Sequence, residues 1–336
     1  MHSFSKRVIS LLFSCMKKYV VNKADEGQTL EKYVKKQLSE VPLSFIYKLF
    51  RKKDVRINNH HEDMKSIIHS GDEVSIYITD EKLLEFASKE KAINPSNEVA
   101  QYIIYEDDNI LLINKPRGML TQKDKPNGKA LDDMVLSYLA YKGEYDPSNK
   151  AFTPGPAHRL DRNTGGIIIF GKNVVTLQYL MSIMQDKSLI QKQYTALVKG
   201  VINKKGEITA PLKKNSVSSL VKVDSIANGA KEAITLYEPS KIYKDYTLLN
   251  CTLLTGRTHQ IRVHMAYINH PVIGDNKYGD FVLNKEFETK YKYTNQFLYA
   301  TFLKFGNLDY PLSYLKNKEF KIDLPNDAIQ ILDNIC

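Results

Sequence analysis

The sequence has few cysteines and no long apolar run, and both absences narrow the class of protein. The three cysteines, Cys15, Cys251 and Cys336, are far apart and form no CxxC pair. This argues against a disulfide framework or a zinc site and fits a reducing compartment. No apolar stretch approaches the roughly 18 residues that a membrane-spanning helix needs. We therefore predict a cytoplasmic protein that does not associate with membranes.

Positive charge is in excess. The chain has 336 residues, with 48 Lys and Arg against 38 Asp and Glu, so its net charge is +10. Its hydrophobic content of 43% and charged content of 26% are ordinary for a globular protein. The length allows two domains. A basic excess favours polyanionic partners such as nucleic acid, although lysines also serve solubility.

The first 15 residues have two interpretations. Basic residues precede a short apolar run, which is shorter than the apolar region of a secretory signal. A lipoprotein signal would need a small residue where Phe13 stands. We favour a translation start at Met16, with 1–15 as an extension upstream of the true start, and a start at Met1 is the alternative.

One polar stretch stands out, His158-Arg159-Leu160-Asp161-Arg162-Asn163-Thr164-Gly165-Gly166, which runs into the apolar segment 167–170. The arginines on both sides favour the ionised form of Asp161. The glycines allow a tight turn, and the apolar segment predicts a buried strand that anchors it. The pattern indicates a reactive carboxylate at the mouth of a cleft. The alternative is a structural Asp–Arg pair that caps a turn.

This stretch resembles the catalytic-loop motif H-R-L-D-x-x-T-S-G of the large pseudouridine synthase family that contains the ribosomal large-subunit RNA enzymes. It departs at Gly165, where the family usually has serine. Other segments resemble further family motifs in the same order. They are N-K-P-x-G at 114–118, K-x-Y-x-A-L-V-x-G at 192–200, G-R-T-H-Q-I-R-V-H-x-A at 256–266, L-H-A at 298–300 and L-P-x-D at 324–327. Tyr299 replaces the histidine of L-H-A, and we interpret it as a packing residue.

The resemblance implies that the protein isomerises uridine to pseudouridine in RNA, without a cofactor or metal. It assigns the catalytic carboxylate to Asp161, its ion-pair partner to Arg262 and the residue that packs on the base to Tyr194. Attack at C6 of uracil, attack at C1′ of ribose and a glycal route all remain open. The predicted RNA-binding residues of this region are Arg159, Arg162, Arg257 and His259.

A metal site is the alternative use of the histidines in the later motifs. His259 and His264 are five residues apart, whereas a helical zinc pair needs a spacing of four. With His270 and Asp275 they form no recognisable ligand pattern, so we predict no metal.

Residues 28–80 predict a small separate module. Thr29 caps one amphipathic helix, 43–50 forms a second with a basic end, and two strands follow. The order resembles the S4 RNA-binding domain, named after a small-subunit ribosomal protein. We predict that its phosphate-binding face consists of Lys48, Arg51, Lys52, Lys53 and Arg56. The alternative is a solvated helix end whose lysines complement the helix dipole.

Together these observations predict an α+β protein. The S4-like domain covers 16–80, a linker 81–100 and the catalytic domain 101–336, which is built on a mixed, mainly antiparallel sheet with flanking helices. Helices are expected at 129–142 and 176–190, and strands at 206–254. We predict a monomeric enzyme acting on large-subunit (23S) ribosomal RNA. The alternatives are a synthase that modifies transfer RNA and a non-catalytic RNA-binding factor for ribosome assembly.

Overall fold

The computed structural model describes residues 16–21, 25–39, 41–83, 93–123, 130–146, 152–215, 218 and 220–335. The predicted extension 1–15 and residues 84–92 of the predicted linker lie outside these ranges. The chain divides into two compact units, Met1–Ala92 and Ile93–Cys336.

Within its described residues, the first unit has a four-stranded antiparallel sheet with helices packed against it. Its elements are β1 (Met16–Val20), α1 (Leu30–Gln37), α2 (Leu43–Arg51), β2 (Val55–Ile57), β3 (His60–His61) and β4 (Glu73–Tyr77). The strand order is β1-β4-β2-β3. The Thr29 side chain accepts a hydrogen bond from the backbone N–H of Lys32, which confirms the predicted helix cap. Leu30, Val34 and Ile46 of the helices pack with Val74 and Ile76 of the sheet in one apolar core.

The second unit is larger. Its elements are β5 (Ile103–Glu106), β6 (Ile110–Lys115), α3 (Leu131–Tyr141), β7 (Gly155–Pro156), β8 (Gly165–Gly171), α4 (Val174–Ile183), β9 (Ile190–Lys199), β10 (Gly206–Thr209), β11 (Leu212–Lys214), β12 (Val221–Val223), β13 (Ile234–Ile242), β14 (Tyr246–Leu253), α5 (Gln260–Tyr267), α6 (Phe281–Tyr291), β15 (Leu298–Phe305), β16 (Glu319–Lys321) and α7 (Asn326–Asn334).

A ten-stranded sheet forms the centre of this unit. Its main order is β10-β13-β14-β9-β15-β8-β6-β5, with β16 beside β15 and β7 beside β8. The pairing of β15 with β8 is parallel, and the other pairings of this sheet are antiparallel. The predicted mixed, mainly antiparallel sheet is therefore confirmed.

The apolar segment of β8 is buried on both faces of the sheet. Ile168 and Phe170 pack into one apolar cluster, whereas Ile167 and Ile169 pack into another. Successive side chains of a strand point to opposite faces, so a strand covered on both sides is apolar throughout. β8 therefore provides a rigid support for the loop that precedes it.

Two predicted boundaries differ from the structure. Residues 98–102 form a short 3-10 helix, and the side chain of Val99 is fully buried in the core of the second unit, so the end of the predicted linker belongs to that unit. Helix α4 ends at Ile183 rather than at residue 190. The Asp186 carboxylate accepts hydrogen bonds from the backbone N–H and the hydroxyl of Ser188, which stabilises a turn where the apolar spacing had predicted helix.

The described residues contain no helix that is long and apolar enough to cross a membrane.

Candidate active site

The loop that carries Asp161 is held by hydrogen bonds at both ends. The N–H of Thr164 donates to the carbonyl of Asp161 at 3.1 Å, which closes a turn. The Thr121 hydroxyl donates to the carbonyl of Leu160 and accepts from its N–H. Gln296 donates from its amide to the Thr164 hydroxyl at 3.0 Å. The carboxylate therefore projects from a loop that has little conformational freedom.

Lys115 is a buried cation that the sequence analysis did not single out. Its ammonium donates to the carbonyls of Pro116, Met119 and Arg162, at 2.9, 2.9 and 3.1 Å. It thus joins the loop after β6 to the loop that carries Asp161. Burial lowers the pKa of Lys115 to about 7, although the nearby Asp161 opposes the shift.

Arg262 lies between two carboxylates. Its Nη1 donates to Oδ2 of Asp161 at 3.0 Å. Its Nε and Nη2 donate to the two oxygens of Asp275, at 2.6 and 2.8 Å. The bidentate pair fixes the plane of the guanidinium, so the remaining nitrogen points at Asp161. The structure places the predicted pair together and adds Asp275, which the sequence analysis considered only as a metal ligand.

Burial of this network makes its charges interdependent. Burial opposes ionisation of Asp275, but the hydrogen bonds and charge of Arg262 outweigh it and lower the pKa of that carboxyl. Burial likewise opposes the charge on Arg262, yet Asp275 and Asp161 together raise its pKa. Both groups of the inner pair are therefore ionised, and Asp161 faces a permanent positive charge.

His259 lies near Asp161 and is hydrogen-bonded to Tyr278. His259 Nε2 lies 3.8 Å from Oδ2 of Asp161, and its Nδ1 shares a 2.8 Å hydrogen bond with the Tyr278 hydroxyl. Burial lowers the pKa of His259, although Asp161 opposes the shift. The imidazole is therefore neutral near pH 7 and does not replace Arg262 as the counter-charge. The Arg262 guanidinium also stacks over the Tyr278 ring, 5.1 Å from its centroid.

Tyr194 lies on β9 and is almost completely buried, with 6% of its surface exposed. Burial raises its pKa above the ordinary value, and the charge of Asp161 adds to the effect. Its hydroxyl is therefore protonated at neutral pH and acts as a hydrogen-bond donor rather than as a phenolate.

Asp161, Tyr194, His259 and Arg262 line one cavity of about 890 Å³. Every site residue that we predicted in the second unit lines this cavity, namely Arg159, Asp161, Arg162, Tyr194, Arg257, His259 and Arg262. Arg257 is oriented by a hydrogen bond from its Nε to the carbonyl of Glu232 at 2.8 Å. The cavity thus combines one carboxylate with several cationic groups and a buried aromatic ring.

The basic residues predicted in the first unit are not all on one surface. Lys48 and Arg51 are in the last turn of α2, and Lys52 and Lys53 follow it directly. Arg56 alternates with the buried Val55 and Ile57 on β2, so it lies on the sheet face opposite the helices. There its guanidinium stacks over Tyr77 at 4.9 Å.

The candidate metal ligands have other partners. His264 is hydrogen-bonded to the Thr235 hydroxyl and the Ala210 carbonyl, and both oxygens of Asp275 accept from Arg262. Within the described part of the chain, no group of three or more His, Cys, Asp or Glu is arranged to hold a metal ion.

The two departures from the family motifs are neighbours in space. Gly165 and Tyr299 are paired across the parallel strands β8 and β15. A Cβ on Gly165 would lie 3.1 Å from Cδ1 of Tyr299 and 3.3 Å from Cγ of Arg117. Tyr299 is buried, as predicted, and its hydroxyl also accepts a hydrogen bond from Arg117, which forms an ion pair with Asp327. The tyrosine ring therefore occupies space that a serine at 165 would need.

We expect Gly165→Ser to destabilise the protein by about 1–3 kcal/mol, as overpacking does. In a Tyr299→His background, Gly165→Ser should lower the free energy of unfolding by about 0.5–3 kcal/mol less than in the wild type. The smaller histidine ring leaves room for the hydroxymethyl group. Denaturant unfolding of the wild type, both single variants and the double variant measures this coupling.

Gly166→Ser is the matched control. Gly166 has φ of +118°, and a Cβ added there would lie 2.3 Å from the backbone oxygen of Ala300. A change at Tyr299 does not relieve this clash. Equal costs of Gly165→Ser in both backgrounds would show that the two positions are independent.

Comparisons with known proteins show which family this chain resembles. The family model described as RNA pseudouridylate synthase matches residues 109–267. Ribosomal large subunit pseudouridine synthase C of Salmonella typhi is 34% identical over 300 residues, covering 86% of this chain and 88% of that protein. The protein of the same name from Escherichia coli K12 is 33% identical over the same coverage. An uncharacterized RNA pseudouridine synthase of Mycoplasma capricolum is 33% identical and covers 90% of this chain and 96% of its own.

A solved structure supports the fold. Human RNA pseudouridylate synthase domain containing 4 has a TM-score of 0.56 and 21% identity, covering 71% of this chain and 94% of that one. On the sequence similarity to its relatives, this chain belongs to the RNA pseudouridine synthase family. It is thus an enzyme that isomerises uridine to pseudouridine in RNA.

Proposed function

We propose that this enzyme modifies specific uridines of large-subunit ribosomal RNA and that Asp161 is its catalytic carboxylate. The observation that best supports the role of Asp161 is its 3.0 Å ion pair with Arg262 at a cavity whose other charged lining residues are lysines and arginines. The substrate is supported by the relatives from Salmonella typhi and Escherichia coli, whose names specify the ribosomal large subunit.

The reaction requires one glycosidic bond to break and another to form. The bond from C1′ to N1 of uracil breaks, the base turns, C1′ bonds to C5, and the proton on C5 moves to a nitrogen of the ring. The product is an isomer of the substrate, so no co-reactant is consumed. An ionised aspartate supports this sequence as a nucleophile at C6 or C1′, or as the base of a glycal route.

Arg262 keeps Asp161 ionised and oriented in this proposal. Its guanidinium is already fixed by Asp275, so no reorganisation is needed when substrate arrives. Tyr194 stacks on the target base, and its protonated hydroxyl donates a hydrogen bond to the base or to a water that carries the C5 proton.

The target uridine must leave its helical stack to reach this cavity. Arg162 and Arg159 are on the same loop as Asp161, and we propose that they occupy the vacated space or hold the neighbouring phosphates. Arg257 and His259 contact the strand from the other side of the carboxylate. In the first unit, Lys48, Arg51, Lys52 and Lys53 at the end of α2, together with Arg56, attract the RNA backbone through an S4-like domain. A ribosomal substrate implies a cytoplasmic location, where ribosomes work.

Pseudouridine mapping tests the substrate. Total RNA is labelled with carbodiimide and read by reverse-transcription stops, in cells with the gene, without it, and with the gene restored. We expect defined stops in large-subunit ribosomal RNA to disappear on deletion and to return on restoration. If the stops that disappear are in transfer RNA, the proposed substrate is wrong. If none disappears in a strain without redundant synthases, modification of cellular RNA is not the role of this protein.

A further inference from the structure

Among the described residues, two lysines of the cavity are not paired with a carboxylate. Lys187 follows the end of α4 and Lys192 is near the start of β9, and both line the cavity that contains Asp161. The ammonium of Lys192 donates to the thioether sulfur of Met184 at 3.2 Å, and sulfur is a weak acceptor. Within the described part of the chain, neither lysine lies within ion-pair distance of a carboxylate.

Burial disfavours the charged form of both lysines. Burial lowers the pKa of Lys192 to about 7, and repulsion by Lys187 adds to the shift. Burial also lowers the pKa of Lys187, although the adjacent Asp186 opposes it. The Asp186 carboxylate is hydrogen-bonded to Ser188. His158 next to them is neutral, because burial and both lysines lower its pKa. An anion in this part of the cavity would bind with little competition from the protein's own carboxylates.

The position of Lys192 indicates which anion fits. It precedes Tyr194 by two residues on the same strand, so their backbones are about 6.6 Å apart. A nucleotide whose base stacks on Tyr194 has its backbone phosphates within reach of a lysine side chain at that distance. A phosphodiester also provides two anionic oxygens, which suits two separate ammonium groups.

We propose that Lys192, together with Lys187, forms a subsite for one backbone phosphate of the bound RNA, next to the nucleotide held by Asp161 and Tyr194. This subsite rests on the placement of the target uridine described under Proposed function. It anchors the strand on the α4 side of the cavity, whereas the arginines of the catalytic loop hold it near the carboxylate. Binding of the phosphate restores full protonation of Lys192, which the empty cavity disfavours.

Kinetics at several salt concentrations test the subsite. The substrate is ribosomal RNA from cells that lack the gene, and the readout is pseudouridine formed by Lys192→Met, Lys187→Met and Lys192→Arg. We expect Lys192→Met to raise KM about tenfold at low salt, with kcat within about twofold of wild type. The slope of log KM against log salt should fall by about 0.7, the value for one contact with a single-stranded phosphate. Lys187→Met should act in the same direction, and Lys192→Arg should restore most of the affinity.

Lys316→Met is the matched control, because Lys316 is exposed and lies outside the cavity. The substitution itself is the same, from lysine to methionine. It should leave KM and the salt slope unchanged. If Lys192→Met leaves KM and its dependence on salt concentration unchanged, the proposed subsite is wrong. A fall in kcat at constant KM would contradict it as well. If Lys192→Met does not fold by circular dichroism, Lys187→Met decides the question by the same criteria. A wild type that modifies no ribosomal RNA shows instead that the substrate is wrong, and the series is then repeated with transfer RNA.

Discussion

Asp161→Asn is expected to abolish pseudouridine formation while the protein remains folded. Asparagine keeps the size of the side chain and an oxygen that accepts the 3.0 Å hydrogen bond from Arg262. It has no negative charge, however, and is neither a nucleophile nor a base. Removal of an essential nucleophile elsewhere lowers kcat by about 10⁴- to 10⁶-fold, and we expect a loss on that scale here. Single-turnover assays on unmodified ribosomal RNA measure it.

Two observations separate a chemical role of Asp161 from a structural one. Asp161 is partly exposed, so the midpoint of thermal unfolding of Asp161→Asn should stay close to that of the wild type. Its activity, in contrast, should be lost. Asp323→Asn, which removes an exposed carboxylate outside the cavity, should retain wild-type kcat. Turnover by Asp161→Asn within tenfold of wild type would exclude this residue as the catalytic carboxylate.

Asp275→Asn is expected to cause the largest loss of stability, about 3–5 kcal/mol. Asp275 is fully buried and accepts two hydrogen bonds from Arg262 and two from the backbone N–H groups of Lys277 and Tyr278. Removing one partner of a buried ion pair is costly, and Arg262 would keep only the partly exposed Asp161 as its counter-charge. Activity should fall as well, because the guanidinium is then no longer held toward Asp161. Chemical denaturation and kcat measure the two effects.

The dependence of stability on pH gives a second readout of the same variant. The pKa of Asp275 is lowered in the folded protein, where Arg262 outweighs the opposing effect of burial. Its stabilising contribution is therefore complete above the ordinary aspartate pKa of about 4 and is lost as the pH falls through the lower, folded-state value. Asp275→Asn should remove this part of the acid dependence, so the wild type and the variant converge in stability at low pH.

A surface carboxylate provides the comparison for Asp275. Glu288 also has a lowered pKa, through a hydrogen bond from Lys285, but its side chain is exposed. Glu288→Gln should shift the unfolding midpoint far less, since water replaces the lost contact. If both variants lose a similar free energy of unfolding, the buried network stabilises the protein no more than a surface ion pair does.

Much of the fold follows from local sequence patterns. The capping residue Thr29, the apolar segment 167–170 and the β-rich composition after 206 predicted elements that the structure contains, because caps and side-chain periodicity depend on neighbours along the chain. The end of α4 was predicted wrongly for the opposite reason. Apolar spacing continues through Met184, whereas the hydrogen bonds of Asp186 to Ser188 turn the chain there.

The residues of the active site divide in the same way. Asp161, Tyr194 and Arg262 could be proposed as site residues because each lies in a short family motif made of neighbouring residues in the sequence. Their supporting contacts could not be, since Lys115 reaches a carbonyl 47 residues away and Gln296 a hydroxyl 132 residues away. Cationic residues such as Lys187 and Lys192 also look ordinary in the sequence, because only tertiary structure shows whether a carboxylate lies near them.

The sequence by itself indicated the class of enzyme and the candidate carboxylate through its resemblance to family motifs, and the mixed sheet through its local apolar patterns. The tertiary structure decided what surrounds that carboxylate. It placed Asp275 against Arg262, paired Gly165 with Tyr299 and, among the described residues, left Lys187 and Lys192 outside ion-pair distance of a carboxylate. The physical reason is that hydrogen bonds, burial and the local field depend on distances between side chains, which the folded chain sets and the order of residues does not.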